Sequence, residues 1–198
     1  MSTSSAAGGP RRAWPFGQRI QIFGNTGAGK STLAERLAER LDLPFVELDA
    51  LNFLPGWVAL TDTDLAEFER RVASATAGER WVVAGSYSGT TQRVLWPRLE
   101  TLIWLDLPLT RIVPRVIARS WRRWRSRELL WGTNVERLWP QLKLWSDDSL
   151  IHWAITQHRR KRSWLGAQML DPRWGHIRFL RLRSPAEVAA LVRSLDAG

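Results

Sequence analysis

The chain has no cysteine among its 198 residues. That excludes disulfides, thiolate metal sites and a cysteine nucleophile, and it fits a reducing, cytoplasmic setting. Tyrosine occurs once, at Tyr87, and lysine only at Lys30, Lys143 and Lys161, so 26 of the 29 basic residues are arginine. No apolar run approaches the ~18 residues of a membrane span, and no membrane partner is expected. The first 17 residues, MSTSSAAGGPRRAWPFG, lack the apolar stretch of a signal peptide and read as a disordered tail. Residues 18–198 then form one domain, long enough for a full core and short for two. The three histidines, His152, His158 and His176, stand at no metal-ligand spacing, and no nucleophile–base pair is evident.

What is abundant is arginine, and it is unevenly placed. The net charge is +10, and residues 111–183 hold 17 Lys and Arg against 5 Asp and Glu. Guanidinium forks suit phosphate and carboxylate, so this region implies an anionic partner, either a phosphorylated small molecule or nucleic acid. Eight of the 13 tryptophans fall in 121–174. Tryptophan at helical spacing reads first as core, and as a base-stacking surface second.

Along the chain, short β-branched or apolar runs alternate with amphipathic stretches. RIQIF (19–23), PFVELD (44–49), WVVAG (81–85), TLIWLD (101–106) and HIRFLRL (176–182) read as strands. Leu33, Leu37 and Leu41 mark a helix from Lys30, and Leu65, Phe68 and Val72 mark one from about Thr61 to Ala77. Residues 50–60 read as a loop. Thr110 is expected to cap an Arg-rich helix with Pro114 in its first turn and Ile112, Val116, Ile117 and Trp121 on its apolar face. A further helix is expected from about Asp148 to Arg162, with HRRKR at its carboxyl end. Ser184-x-x-Glu187 is a capping box for the last helix, with Pro185 at its first position. The alternation predicts an α/β domain with a parallel sheet.

The segment GNTGAGKSTLAERL (24–37) sits between a strand and a helix. Gly24, Asn25, Thr26, Gly27, Ala28, Gly29, Lys30 and Ser31 match G-x-x-x-x-G-K-[ST]. Glycines let consecutive main-chain N–H groups wrap phosphate oxygens, and the helix start adds its positive end. Lys30 would reach the β- and γ-phosphates of ATP, and Ser31 would ligate Mg²⁺. Thr32 completes the nucleotide-binding set.

Together with ELDALNFLPGW, VVAGSYSGT and LIWLDLP, this segment resembles a family of small P-loop proteins called adenylate-kinase-like or DNA topology modulation proteins. The resemblance covers residues 19 to about 195. It implies a five-stranded parallel sheet in order 2-3-1-4-5, an Arg-bearing lid at about 115–170, and ATP with Mg²⁺. Relatives often carry Asp before the glycine of the third strand, where this chain has Ala84. Shikimate-kinase-like proteins lack it too and use an Asp at the end of the second strand, the place of Asp49. Asp49 is therefore expected to orient the metal or to take the acceptor hydroxyl's proton. Ser86 stands where relatives often have Asn.

Arg111, Arg115, Arg119, Arg122 and Arg123 recur close to one helical face. Arg119 and Arg123 are expected to neutralise the transferred phosphoryl group, and Arg115 to meet the nucleotide base. Gly85, Tyr87 and Arg93 follow the third strand, where related kinases hold the acceptor, and Trp57 is expected to touch it. The leading expectation is a P-loop kinase acting on a small anionic or hydroxyl-bearing acceptor. The alternatives are a nucleic-acid-associated NTPase, and a non-catalytic ATP sensor made conceivable by Ala84.

Overall fold

Five strands pair in parallel: β1 (Arg19–Gly24), β2 (Phe45–Glu47), β3 (Trp81–Ala84), β4 (Thr101–Leu105) and β5 (Arg178–Leu182). Their order across the sheet is β2-β3-β1-β4-β5, the 2-3-1-4-5 arrangement that the family resemblance implies. The computed structural model describes residues 16–127, 129–135 and 150–196.

The three central strands, β1, β3 and β4, are buried on both faces, as a parallel sheet covered by helices requires. From β1, Ile20 and Ile22 face one layer with Leu33, Leu37, Val82 and Ile103. Phe23 faces the other, with Phe68, Val72, Trp81, Val83 and Trp96. Gln21 is fully buried on that second side and satisfied at both ends. Its Nε2 donates to the Gly85 carbonyl at 3.1 Å, and its Oε1 accepts from Trp96 Nε1 at 2.9 Å.

Helix α1 (Lys30–Leu41) buries Leu33, Ala34, Leu37 and Ala38. The helix expected over 61–77 is interrupted at Asp64, whose carboxylate accepts from Glu67 N and starts α2 (Leu65–Ala75) after a separate turn at Leu60–Thr63. That cap sets the helical phase, so Phe68 and Val72 are buried while Leu65 points outward. Residues 50–60 are not a plain loop. A short helix (Leu48–Asn52) leads into paired segments Phe53–Leu54 and Val58–Ala59 around a turn at Pro55–Trp57.

Helix α3 (Ser88–Val94) follows β3, and α4 (Leu109–Ser126) follows β4. Pro108, not Thr110, precedes the first helical residue of α4. Pro114 therefore lies in the second turn, where it withholds a bond from the Thr110 carbonyl. Ile112 and Val116 are buried as expected, but Ile117 and Trp121 are exposed. A second antiparallel pair, Leu129–Leu130 with Asn134–Val135, follows.

Helix α5 (Leu150–Gln168) runs past Arg162, so the basic cluster lies mid-helix and not at its end. Its expected start at Asp148 lies outside the described residues, as do Trp139, Trp145 and residues 1–15. Trp164 and Trp174 pack against Trp96, with centroids 5.5 and 5.0 Å away, and so take the core role. The capping box opens α6 (Pro185–Asp196): Glu187 N donates to Ser184 Oγ at 3.2 Å, and Arg183 N donates to Glu187 Oε2 at 2.8 Å.

At the chain's described start, the Phe16 carbonyl accepts from Thr101 Oγ1, and Arg178 lies 4.4 Å from the Phe16 ring centroid. Residues 16 and 17 thus belong to the fold and not to a tail. No helix among the described residues is long and apolar enough to cross a membrane.

Candidate active site

The strands β1, β2 and β3 end together at Gly24, Glu47 and Ala84, the edge where open α/β sheets place their ligands. A cleft of about 760 Å³ opens there. Residues 26–33, Glu47, Asp49, Trp57, Arg115, Arg119, Arg122 and Arg123 line it.

Residues 25–29 form the loop between β1 and α1. Gly29 precedes the first helical residue with φ 96°, a left-handed conformation, and a Cβ there would meet only open space. Beyond it the amides of Lys30, Ser31 and Thr32 have no preceding turn to bond to, which leaves them for an anion. Not every amide of the loop is available. Thr26 N donates to Asn25 Oδ1 at 2.9 Å and Ala28 N to the Asn25 carbonyl at 3.2 Å. Asn25 thus shapes the loop from within, and its Nδ2 donates to the Ala154 carbonyl of α5 at 2.7 Å. Ser86 anchors the loop at its other end: its hydroxyl donates to the Gly24 carbonyl at 2.7 Å and accepts from Gly24 N at 3.0 Å.

Lys30 Nζ donates to the Asn25 carbonyl at 3.1 Å, over the mouth of the loop. Burial lowers its pKa, opposed by Asp49, and the Arg119 guanidinium lowers it further. An anion in the cleft would reverse that balance.

The carboxylate that meets the loop is Glu47, not Asp49. Ser31 Oγ donates to Glu47 Oε1 at 2.6 Å. A hydroxyl and a carboxylate in contact form an all-oxygen donor set of the kind magnesium accepts. No cluster of three or more His, Asp or Glu suited to a metal occurs among the described residues. Magnesium needs none, because in nucleotide sites it is carried mainly by phosphates and water with one or two protein groups.

Asp49 lies in the short helix beyond β2 and turns to Tyr87. Its Oδ1 accepts from Tyr87 Oη at 2.7 Å, and Tyr87 Oη accepts from Asn52 Nδ2 at 3.2 Å. Burial, then the nearby Asp49 charge, pushes the Tyr87 pKa far up, so the phenol remains a donor.

From α4, Arg119 Nη2 donates to Thr26 Oγ1 at 3.3 Å, directly over the loop. Arg115, Arg122 and Arg123 share the cleft wall with it, whereas Arg111 is not part of that lining. Trp57 is in the cleft too, though its indole N–H is engaged with the Val135 carbonyl at 3.0 Å.

Two expected acceptor residues have other work. Arg93 pairs with Glu69, with Nε at 2.8 Å from Oε1, and is absent from the cleft lining. At Gly85 a Cβ would come 2.6 Å from Leu48 Cδ1, so the glycine admits Leu48 and not a ligand.

Three groups at the cleft were not expected from the sequence: Glu47, the apolar edge of α6 formed by Val188 and Val192, which also lines it, and Lys161, close enough to Lys30 and Asp49 to feel their charge. Lys161 is on α5, half-buried, and its pKa falls to about 7, first through burial and then through Lys30. The acidic pair Glu47-x-Asp49 at a strand end beside the glycine segment was the available signal for the first. Lys161 carried no local signal.

A family model described as ATPase family associated with various cellular activities (AAA) matches residues 20–82, from β1 through the glycine loop to β3. A curated shikimate kinase of Paramagnetospirillum magneticum is 28% identical over 138 residues, which span 62% of this chain and 68% of that protein. Among solved structures, shikimate kinase from Acinetobacter baumannii in complex with shikimate aligns over 94% of both chains, with TM-score 0.55 and 18% identity. A gluconokinase from Sinorhizobium meliloti 1021 aligns over 92% of this chain and 91% of its own, with TM-score 0.53 and 19% identity. The common ground is the five-stranded parallel sheet with flanking helices.

Proposed function

We propose that the chain is a P-loop kinase of the NTPase superfamily, which transfers the γ-phosphoryl group of ATP to the hydroxyl of a small acceptor. The observation that carries this reading is convergence: Lys30, Ser31, Glu47, Asp49 and Arg119 line one cleft around the start of α1. Bound ATP with magnesium would supply the phosphoryl group and shield its charge. The loop amides and Lys30 hold the phosphate oxygens, and Ser31 with Glu47 faces the metal. Arg119 and Arg123 take up charge on the transferred group, a contribution of about 4–7 kcal/mol where such an arginine has been removed from other enzymes. Asp49, oriented by Tyr87, accepts the proton that the acceptor hydroxyl loses. Val188 and Val192 offer the adenine an apolar edge beside Arg115.

The named relatives act on hydroxyl-bearing compounds, which supports an acceptor of that class. An ATP sensor without turnover had Ala84 as its motive, and Glu47 against Ser31 supplies the carboxylate that Ala84 lacks.

The test is ADP release from ATP and Mg²⁺ across a panel of sugar acids, cyclitols and nucleosides. Acceptor-stimulated release that falls at least ~100-fold in Lys30→Ala is expected. Tight ATP binding with no turnover on any acceptor would favour the sensor.

A further inference from the structure

We propose that Trp131 is a positioning residue for Glu47, so that the hairpin carrying it sets the carboxylate that would face the metal. The inference rests on the functional reading above, since it concerns how magnesium nucleotide is held.

Glu47 is gripped from two directions. Its Oε1 accepts from Ser31 Oγ at 2.6 Å, and its Oε2 accepts from Trp131 Nε1 at 3.1 Å. A carboxylate on a flexible stem has a broad terminal torsion, and one donor leaves it free to swing. Two donors on different oxygens fix its plane. The second comes from the turn between the paired segments Leu129–Leu130 and Asn134–Val135, far along the chain from β2.

That turn is held in an uncommon conformation. Trp131 has φ 50° and Gly132 φ 77°, and Trp57 opposite has φ 66°. Left-handed backbone costs a bulky residue about 1–2 kcal/mol, so surrounding contacts must impose it. They are present. The Trp131 ring stacks on Phe53 with centroids 5.5 Å apart and an interplanar angle of 11°, and meets Trp57 edge-on at 5.8 Å. Asn134, buried, donates from Nδ2 to the Leu54 carbonyl at 3.1 Å and accepts from Trp57 N at 2.9 Å. A tryptophan that only filled apolar space would satisfy the stack without bringing its one polar atom to a carboxylate. Here both are met, and the backbone is strained to meet them. The resulting chain of contacts runs from Asn134 through Trp57 and Trp131 to Glu47 and Ser31.

Trp131→Phe separates the two roles, because phenylalanine keeps a ring against Phe53 and loses the N–H. The measurement is the rise in melting temperature that ATP produces, with Mg²⁺ titrated and with chelator. Trp131→Phe should need 3- to 10-fold more Mg²⁺ for the half-maximal rise, while the response in chelator matches wild type. Asn134→Ala, which leaves the indole in place and unseats the hairpin, should shift the Mg²⁺ requirement the same way, and serves alone if the first variant does not fold. A wild-type Mg²⁺ requirement in a folded variant overturns the inference and spares the functional reading. Absence of any ATP-induced rise in the wild-type protein overturns both.

Discussion

Ser31 and Glu47 are joined by the hydrogen bond from Ser31 Oγ to Glu47 Oε1, 2.6 Å long, which ties the first turn of α1 to the end of β2. In the proposed reaction the carboxylate would meet Mg²⁺ from beside the Ser31 hydroxyl and would hold that hydroxyl in place.

Glu47→Gln keeps the shape and an acceptor oxygen but removes the charge. Loss of an outer partner of this kind typically lowers metal affinity 10–100-fold. The Mg²⁺ requirement for ADP release should rise by that order, while ATP binding in chelator is retained. An unchanged Mg²⁺ titration would return Glu47 to a structural role.

Asp49 and Tyr87 should divide differently. Asp49→Asn is expected to lower kcat about 10²–10⁴-fold with little change in nucleotide affinity, as loss of a general base does. Tyr87→Phe should cost a smaller factor in kcat and about 1.5–3 kcal/mol of stability, through loss of a hydrogen bond to a charged group. Because the Tyr87 pKa is raised, the wild-type rate should show no fall near pH 10 from phenol ionisation. A kcat in Asp49→Asn equal to wild type would leave that residue a structural partner of Tyr87.

The glycine loop, the strands and the last capping box were legible in the sequence because each is local, whereas the order of the strands across the sheet followed only from the family resemblance. Asp49 was legible as a residue of the cleft, but its partner was not, since Tyr87 reaches it through the fold. Arg93 was misplaced because nearness along the chain to β3 says nothing about which side of α3 it leaves, and α3 turns it to Glu69. The segments Leu129–Leu130 and Asn134–Val135 are too short to show alternation, so the hairpin that delivers Trp131 left no pattern to read.

Lys161 predicts a proton linkage. Its folded pKa is about 7 against an ordinary value of 10.5, so between those limits the unfolded chain carries a proton that the folded one has released. Stability from this group therefore rises with pH across that window. An anion in the cleft favours the ammonium, so ATP binding at pH 8 should take up protons. Calorimetric enthalpies in buffers of different ionisation heat should diverge for wild type and converge largely in Lys161→Met. Equal enthalpies in wild type would contradict the linkage.

Gly27 and Gly29 should respond differently to alanine. At Gly27 a Cβ would lie 2.5 Å from Val116 Cγ2 with φ at 73°, so clash and backbone strain combine. Gly27→Ala should cost about 2–4 kcal/mol of stability in denaturant titration. Gly29→Ala meets no neighbour, and should cost only about 1–2 kcal/mol while weakening ATP binding. Equal stability loss in the two would contradict this packing.

The two-way bond between Ser86 and Gly24 makes one hydroxyl the yardstick between the phosphate cup and the wall that carries Tyr87. For the acceptor proposed above, the reactive oxygen would then arrive at a fixed height above β1 and β3. Retargeting the protein to a new compound would thus leave 84–88 alone and redraw 53–58, where the reach of the pocket, and not its reference point, is decided.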